Sequence, residues 1–500
     1  MLVVDPYTAR IGLNQTFGPD SIGYCELHKH DVKHFLGFIG CSISLRLLSL
    51  MLGAALLVNC GGGGGGGSAN TGASSAEPNA ATSRQQAAPA SVVVPLEVRD
   101  ALAEAPFNEA KDLTVPPGFG IRVWARVAGA RFMALAPNGD VLVSVPGEGK
   151  IVLLRERADE PPQAFDYATG LRNPHDMVFH AIDGVTYLYV AESNRVTRSV
   201  YRSAETLSGE RVTVVDNLPD NSSPELQGNY GHELKNIALS PDHKLYVSVA
   251  STCNACTEDT VSDPVRGAIY QHAADGTQRR LFARGLRNAE GLDFIPGTGT
   301  LWVTVNNRDN VLVPTDVDID GDGASDIGEL LPAYVDNNPP ELFTSVRDGA
   351  NYGWPFCNAI ANPAMSGLAL EPDYQLNRAG AALNCAVVER SAKGMRAHSA
   401  PLGFSFLQSS SVPAAYRAGA AVAQHGCWNC TSLNAGYKVT YFPFDAAGNT
   451  GAEMDLVSGF VTDPEERDVW GRPVDVIADA KGNLLISDDF AGAIYQLYPK

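Results

Sequence analysis

The sequence has no apolar run long enough to cross a bilayer as a helix. Its longest, residues 47–58 (LLSLMLGAALLV), is twelve apolar or small residues, against the roughly 20 that a spanning helix needs. Positive charge is scarce as well. Lys plus Arg number 37 against 56 Asp plus Glu, and residues 1–60 hold four of each, so the whole net charge of −19 falls on residues 61–500. A surface of that sign repels phosphate backbones and argues against any nucleic-acid partner. The chain also lacks a nicotinamide fingerprint opening a helix, a phosphate loop and the C-x-x-C-H of covalent haem. Hydrophobic residues make up 45%, with 49 Gly and 31 Pro, a turn-rich composition that excludes disorder and collagen as whole-chain descriptions.

What is present begins with a leader. Residues 47–58, preceded by Arg46, fit the apolar core of an export signal. Leu57-Val58-Asn59-Cys60 resembles a bacterial lipobox, in which Cys60 becomes the lipidated first residue; a plain signal peptide or an uncleaved anchor is the alternative. Seven glycines follow Cys60, then Ser, Ala, Asn, Thr and Pro, a composition that buries no surface and behaves as flexible coil. The expected organisation is a leader over 1–60, a tether over 61–95 and a globular domain over 96–500. The expected location is the periplasm or cell envelope, with membrane contact only through the lipid anchor.

Of nine cysteines, Cys25, Cys41 and Cys60 precede the domain and six lie in it. An even number in an exported chain points to disulfides. The pairing expected among 15 connectivities is Cys253 with Cys256, Cys357 with Cys385 and Cys427 with Cys430. Zinc held by the two C-x-x-C pairs is the alternative, disfavoured because they stand 171 residues apart.

One pattern recurs: a turn with Gly or Asp, then a strand of alternating apolar residues. It stands as NGDVLVSV from Asn138, GVTYLYVA from Gly184, DHKLYVSVA from Asp242, GTLWVTV from Gly299, AAVAQHG from Ala420 and KGNLLISDD from Lys481. Following strands include KIVLLRE from Lys150, GAIYQHA from Gly267, YKVTYFPF from Tyr437 and AIYQLYP from Ala493. Period-2 strands without long amphipathic helices, repeated six times, predict an all-β, six-bladed β-propeller. FGIRVWARV from Phe119 is expected to close the ring against the C-terminal blade.

Several segments placed ahead of or behind these strands carry chemistry. They are GHELKNIALSPDHKLYVSV from Gly231, FARGLRNAEGLDF from Phe282, DGANYGWPFC from Asp348 and WGRPVDVIADAKGNLLISDDFAG from Trp470. Over about residues 115–500 the chain resembles the soluble quinoprotein sugar dehydrogenases, the glucose and sorbosone dehydrogenase family. The resemblance implies pyrroloquinoline quinone and Ca²⁺ as cofactors and an aldose or sugar aldehyde as substrate. It implies His232 as the catalytic base, with Glu233 as a candidate orienting partner, since a neutral imidazole suits removal of a hydroxyl proton. Arg287, Asn288, Arg472 and Asp489 are implied to hold the quinone, whose carboxylates suit guanidinium donors. His175, Tyr352 and Trp354 are implied at the substrate mouth, and the carbonyls of Asn307 and Arg308 at the cofactor calcium. The chain departs from the family at several points: Gly231 stands where the family has Asp, Ala289-Glu290 replaces Pro-x and Asn307-Arg308 replaces Gly-Pro. Val474 replaces an arginine, and no cation stands near Asn429 or Cys430. That departure keeps open an alternative, a diverged propeller that binds sugar or a partner protein without catalysis.

Between blades, DIDGDGASDIGE fits the twelve-residue calcium-loop pattern with Asp318, Asp320, Asp322, Gly323, Asp326 and Glu329 at its ligand and turn positions. Proline at 314 and 332 makes its flanks poor helices. A lone structural calcium loop is expected there.

Overall fold

The computed structural model describes residues 91–408 and 412–500, and a backbone hairpin of Leu2–Asp5 with Arg10–Leu13 in a separate unit, Met1–Ser83. The expected lipidation site at Cys60 lies outside the described residues, as does most of the expected tether. The end of that tether is structured. The β-branched run Val92–Pro95 pairs antiparallel with Asp112–Val115, as its side chains favour.

Six antiparallel sheets follow. Blade I comprises Met133–Leu135, Val141–Val145, Lys150–Arg157 and Glu160–Ala168; blade II comprises Met177–Ile182, Val185–Glu192, Arg195–Val200 and Val212–Val215. Blade III holds Ile237–Leu239, Lys244–Val249, Ala268–Ala273 and Arg280–Arg284. Blade IV is the enlarged one, with Asn288–Phe294, Leu301–Asn306, Glu341–Ser345, Ser391–Met395 and Ser366–Leu368. Blade V holds Pro401–Phe406, Gly419–Gln424, Lys438–Pro443 and Met454–Val457. Blade VI takes Pro473–Ala478, Leu484–Asp488 and Ala493–Pro499 from the C-terminus and Phe119–Arg126 from the start of the domain. Each innermost strand contacts the innermost strand of the next blade, and the sixth contacts the first. The chain is therefore the expected six-bladed propeller. The expected closing strand is confirmed in register, Arg126 opposite Ala493 and Phe119 opposite Pro499, which removes the open edges that the terminal blade would otherwise expose.

The innermost strands carry acid. Asp475 accepts Met133 N–H at 2.9 Å and Asp176 accepts Ile237 N–H at 2.8 Å, while Asp293 accepts the amide of Phe406. Three alternate blades thus each pin their neighbour along the channel wall. Burial pushes Asp293 and Asp475 up to about 7, and Asp176 is raised also.

The three expected disulfides are present: Cys253–Cys256, Cys357–Cys385 and Cys427–Cys430. The Cys357–Cys385 bridge spans 28 residues, so by loop-closure entropy it stabilises by about 3.5 kcal/mol, against about 2 kcal/mol for each three-residue bridge. A Cys357→Ala/Cys385→Ala chain is expected to lose that much in urea unfolding at unchanged slope. A loss below about 1 kcal/mol would assign the insertion's stability to packing instead.

Candidate active site at one mouth of the channel

The strand registers assemble the site. Asn288 lies opposite Asn306, Pro401 opposite Gln424 and Pro473 opposite Asp488. In antiparallel pairs, the start of each innermost strand and the end of the second strand share one face of the ring. Apart from DGANYGWPFC, which follows the third strand of blade IV, the motif segments precede innermost strands or follow second strands, so residues hundreds of positions apart meet at one mouth.

A belt of side-chain hydrogen bonds crosses the blades there. Arg472 donates to the carbonyls of His425 at 3.0 Å and Gly426 at 3.2 Å. His425 Nε2 meets Asp489 Oδ1 at 2.8 Å, and Arg131 Nη1 donates to Asp489 Oδ2 at 2.9 Å. Arg131 Nη2 stands 3.3 Å from His175 Nε2, and His175 Nδ1 is 2.9 Å from Asn236 Oδ1. Asn236 and Asn288 both donate to Glu290, at 3.1 and 2.8 Å. Beyond these, Arg287 donates to Asp309 at 2.9 Å and to the carbonyls of Asn254 and Asn306, each at 3.3 Å. His398 closes this side, with Nδ1 at 3.3 Å from Asp309 and Nε2 at 2.7 Å from the Val335 carbonyl.

The partners settle the protonation states. The Val335 carbonyl only accepts, so His398 Nε2 carries a proton, and Nδ1 faces the Asp309 carboxylate. Burial opposes a charge on this ring, but Asp309, Glu341 and the Val335 carbonyl outweigh it and raise His398. Burial pushes the other members toward neutrality. His425 falls to about 4 and His175 is lowered with it, each further depressed by Arg131, while Glu341 rises to about 7. Asp489 stays ionised because His425 and Arg131 together outweigh its burial.

His232 is held by Ser251. Its Nδ1 lies 2.9 Å from the Ser251 carbonyl and 3.1 Å from the Ser251 hydroxyl. The carbonyl can only accept, so Nδ1 carries the proton and Nε2 presents a lone pair. Glu233 is not the partner: it accepts Asn173 Nδ2 and the Asn221 amide, each at 2.9 Å. Burial, followed by the Arg287 cation, pushes His232 down to about 3. A group so depressed contributes stability that is present above its unfolded value near 6.5 and is lost as pH falls toward 3. The thermal midpoint is therefore expected to fall further between pH 6.5 and 4.5 in the wild type than in His232→Gln, as calorimetry at both pH values would show; parallel curves would place the histidine in solvent.

Other expected positions fall differently. Tyr352 is 3% exposed and packs in the core of blades III and IV, its hydroxyl bonded to Ser345 O at 2.8 Å. Ser345 ends the strand that Glu341 begins near Asn307, and four residues of strand put it about 13 Å from that end. The aromatic ring is thus away from the mouth, drawn into apolar packing. Trp354 is 6% exposed and donates Nε1–H to the Asn254 carbonyl at 3.0 Å, bracing the loop behind Arg287. Its ring lies where a Cβ on Gly267 would come within 2.8 Å, and Gly267 has φ 66°, so only glycine fits there. Arg308 turns its side chain onto Asp373 and Gln375, and Asn307 donates to the Pro340 carbonyl at 2.6 Å. Among the described residues no hydrogen bond reaches the carbonyl of either.

Two of the departures from the family pattern, at Val474 and near Asn429, have local causes. Val474 is fully buried against Phe132 and Leu402, an apolar plug in the channel wall. Beside Asn429, Arg467 arrives from the Val461–Asp463/Asp468–Val469 hairpin and donates to the carbonyls of Cys430 at 2.6 Å and Trp428 at 2.8 Å. Arg131, His425, Asn236, Glu290, Asp309 and His398 were not singled out from sequence. Their one common signal was position, in the short stretches flanking innermost and second strands.

In the calcium loop, carboxylate oxygens of Asp318, Asp320 and Asp326 lie within 4.8 Å of one another, and Gly323 takes φ 88° for the turn. Asp322 and Glu329 do not join them. Asp322 accepts the Ala324 amide at 2.7 Å, and Glu329 is exposed, its backbone tied to Val313 at 3.0 Å with no helix to carry the carboxylate back.

The profile of the TrAA12-like family matches residues 113–500. An uncharacterised protein of Borreliella burgdorferi is 24% identical over 71% of this chain and 90% of its own. Among solved structures, the holo pyranose dehydrogenase PQQ domain of Coprinopsis cinerea superposes with a TM-score of 0.62 at 19% identity, over 77% of this chain and 96% of its own. A Trichoderma reesei enzyme of carbohydrate-active family AA12 gives 0.59 at 20%, over 77% and 97%. These likenesses establish the fold, and the profile match establishes the lineage: the chain belongs to the TrAA12-like family.

Proposed function

We propose that the protein is a quinoprotein sugar dehydrogenase that oxidises an aldose or sugar aldehyde with pyrroloquinoline quinone and Ca²⁺ and passes the electrons to an external acceptor. The observation that carries this reading is His232, fixed by Ser251 in the tautomer with Nε2 free, close enough to Arg287 for that cation to lower it. The mouth fits a planar polyanion. Arg472 has only carbonyl partners among the described residues, and Arg131 Nε and Asn306 Oδ1 are buried without partners, donor and acceptor capacity that a bound group would satisfy. The unengaged carbonyls of Asn307 and Arg308 suit a hard cation. Arg131, absent from the sequence expectation, supplies a cation on the side where Val474 does not.

Pyrroloquinoline quinone, when bound, would supply the two-electron acceptor for hydrogen leaving the sugar's anomeric carbon. The chain's own residues do the rest. His232 Nε2 takes the hydroxyl proton while the Ser251 carbonyl keeps Nδ1–H and hence the ring orientation. His398 and Arg287 share Asp309, which holds that guanidinium in place. The buried Asn236–Glu290–Asn288 network fixes the innermost strands on either side of the site. The resemblance favours this reading over a non-catalytic binder, and the holo Coprinopsis cinerea domain, a pyranose dehydrogenase by name, shares the fold. Export and lipidation at Cys60 belong to the same proposal, tested by the mass of the mature N-terminus.

The test is dye reduction by the full chain with quinone, Ca²⁺ and a panel of aldoses. Turnover supports the reading; absence of quinone binding at micromolar concentration overturns it in favour of the non-catalytic propeller. For the calcium loop, Asp318→Asn is expected to weaken Ca²⁺ binding in calorimetry by about tenfold or more, since ligand charge sets affinity, and Glu329→Gln to change it little. A large effect of Glu329→Gln would mean that the loop closes fully around the ion.

A further inference from the structure

The loop at 251–256 does more than join two strands of blade III. Ser251 at its start holds His232 through carbonyl and hydroxyl. Three residues on, the Asn254 carbonyl accepts Arg287 Nε at 3.3 Å and Trp354 Nε1 at 3.0 Å. The Asn254 side chain exchanges both of its bonds with the backbone of Asp309: Nδ2 donates to Asp309 O at 2.7 Å, and Oδ1 accepts the Asp309 amide at 2.8 Å. Asp309 in turn holds Arg287 and His398. A six-residue segment therefore sets the positions of the candidate base, a candidate quinone arginine and that arginine's carboxylate. It is closed on itself by Cys253–Cys256.

This disulfide differs from the other two in access. Cys427, Cys430, Cys357 and Cys385 are 1, 4, 5 and 6% exposed, whereas Cys253 is exposed and Cys256 half-buried. A dissolved dithiol therefore reaches this bridge first. The ring it closes is short, so its opening costs the fold little, while the carbonyl at 254 loses the constraint that aims it.

We infer that Cys253–Cys256 is a redox-sensitive clasp and Asn254 a positioning residue, so that reduction of this bridge disables the site without unfolding the propeller. A dithiol reductant closes to its own disulfide as the Cys253–Cys256 bond breaks, two electrons and two protons passing to form two thiols. The inference rests on the functional reading only for what the site binds.

The experiment treats the full chain with a dithiol under native conditions, alkylates the thiols and locates them by peptide mapping. Labelling of Cys253 and Cys256 ahead of the other four is expected. In parallel samples reduced but not alkylated, the quinone dissociation constant is expected to rise by about tenfold, the effect of one displaced charge-assisted bond. The melting midpoint is expected to fall by no more than about 4 °C, and reoxidation to restore the affinity. Asn254→Ala, which keeps the bridge but removes the bonds to Asp309, is expected to weaken quinone binding by a similar factor at a similar midpoint. A second readout needs no quinone: modification of His232 by diethyl pyrocarbonate, expected to quicken severalfold on reduction as Ser251 loosens. If the untreated chain binds no quinone, the functional reading fails and the clasp stands or falls on His232 modification. First labelling elsewhere, or labelling of this pair with quinone affinity and His232 reactivity both unchanged, overturns the inference.

Discussion

Alanine at 232 is expected to lower sugar-dependent dye reduction by about 10²–10⁴-fold, the span contributed by a positioned general base, with quinone affinity staying within about threefold of wild type because no charge-assisted bond is lost. The asymmetry follows from geometry. Ser251 takes Nδ1–H of His232 and leaves Nε2 free, so the role proposed for the ring is to handle a proton rather than to anchor the cofactor. His232→Gln is the companion variant, since it can still donate to the Ser251 carbonyl but cannot accept a proton at neutral pH. Equal loss in both variants, in kcat more than in KM, is the expected pattern. A loss confined to KM would make His232 a substrate contact and send the search for the base to another residue of the mouth.

The second large effect is on stability. Phe343→Ala is expected to destabilise the propeller by about 3–5 kcal/mol, the range for deleting a buried phenyl ring. Phe343 is fully buried on blade IV and meets Trp302 at 4.8 Å, Phe404 at 5.0 Å, Phe442 at 5.1 Å and Phe444 at 6.2 Å between ring centres. Three of these four rings belong to blade V or its flank, so the cavity would open at a blade interface, where stability of a stacked-repeat ring resides. Phe343→Leu should cost less, by the volume it refills. Urea unfolding followed by circular dichroism measures both. A Phe343→Ala loss below about 1 kcal/mol would mean that the aromatic cluster repacks.

Much of the ring was legible before any coordinates. The six strands beginning with NGDVLVSV, GVTYLYVA and their counterparts are the second strands of six blades, and those from Lys150, Gly267, Tyr437 and Ala493 are third strands. Both kinds lie between neighbours and pack against adjoining blades, so apolar residues recur along them. The innermost strands escaped notice for a physical reason. Met133–Leu135 and Ile237–Leu239 are three residues long, and others bear Asp293 or Asp475, because a narrow channel favours side chains that bond across it over side chains that fill it. The long interval before Gly419–Gln424 likewise contains half of blade IV and the first strand of blade V, hidden by the calcium loop and by the segment that Cys357–Cys385 closes.

By itself the sequence determined the repeat and the closing strand, since each is written locally in a turn or an alternation; the cysteine pairing was one choice among 15, and His232, Arg287, Asn288, Arg472 and Asp489 were implied by the family resemblance. Only the tertiary structure decided who stands beside whom. Arg131 reaches Asp489 across 358 positions, and Asp309 collects Arg287 and His398 from either side. It also withdrew Tyr352 into the core and gave His232 to Ser251 instead of Glu233. Local pattern specifies strands, but a propeller site is built where six separate strand ends converge, and that convergence is a property of the closed ring.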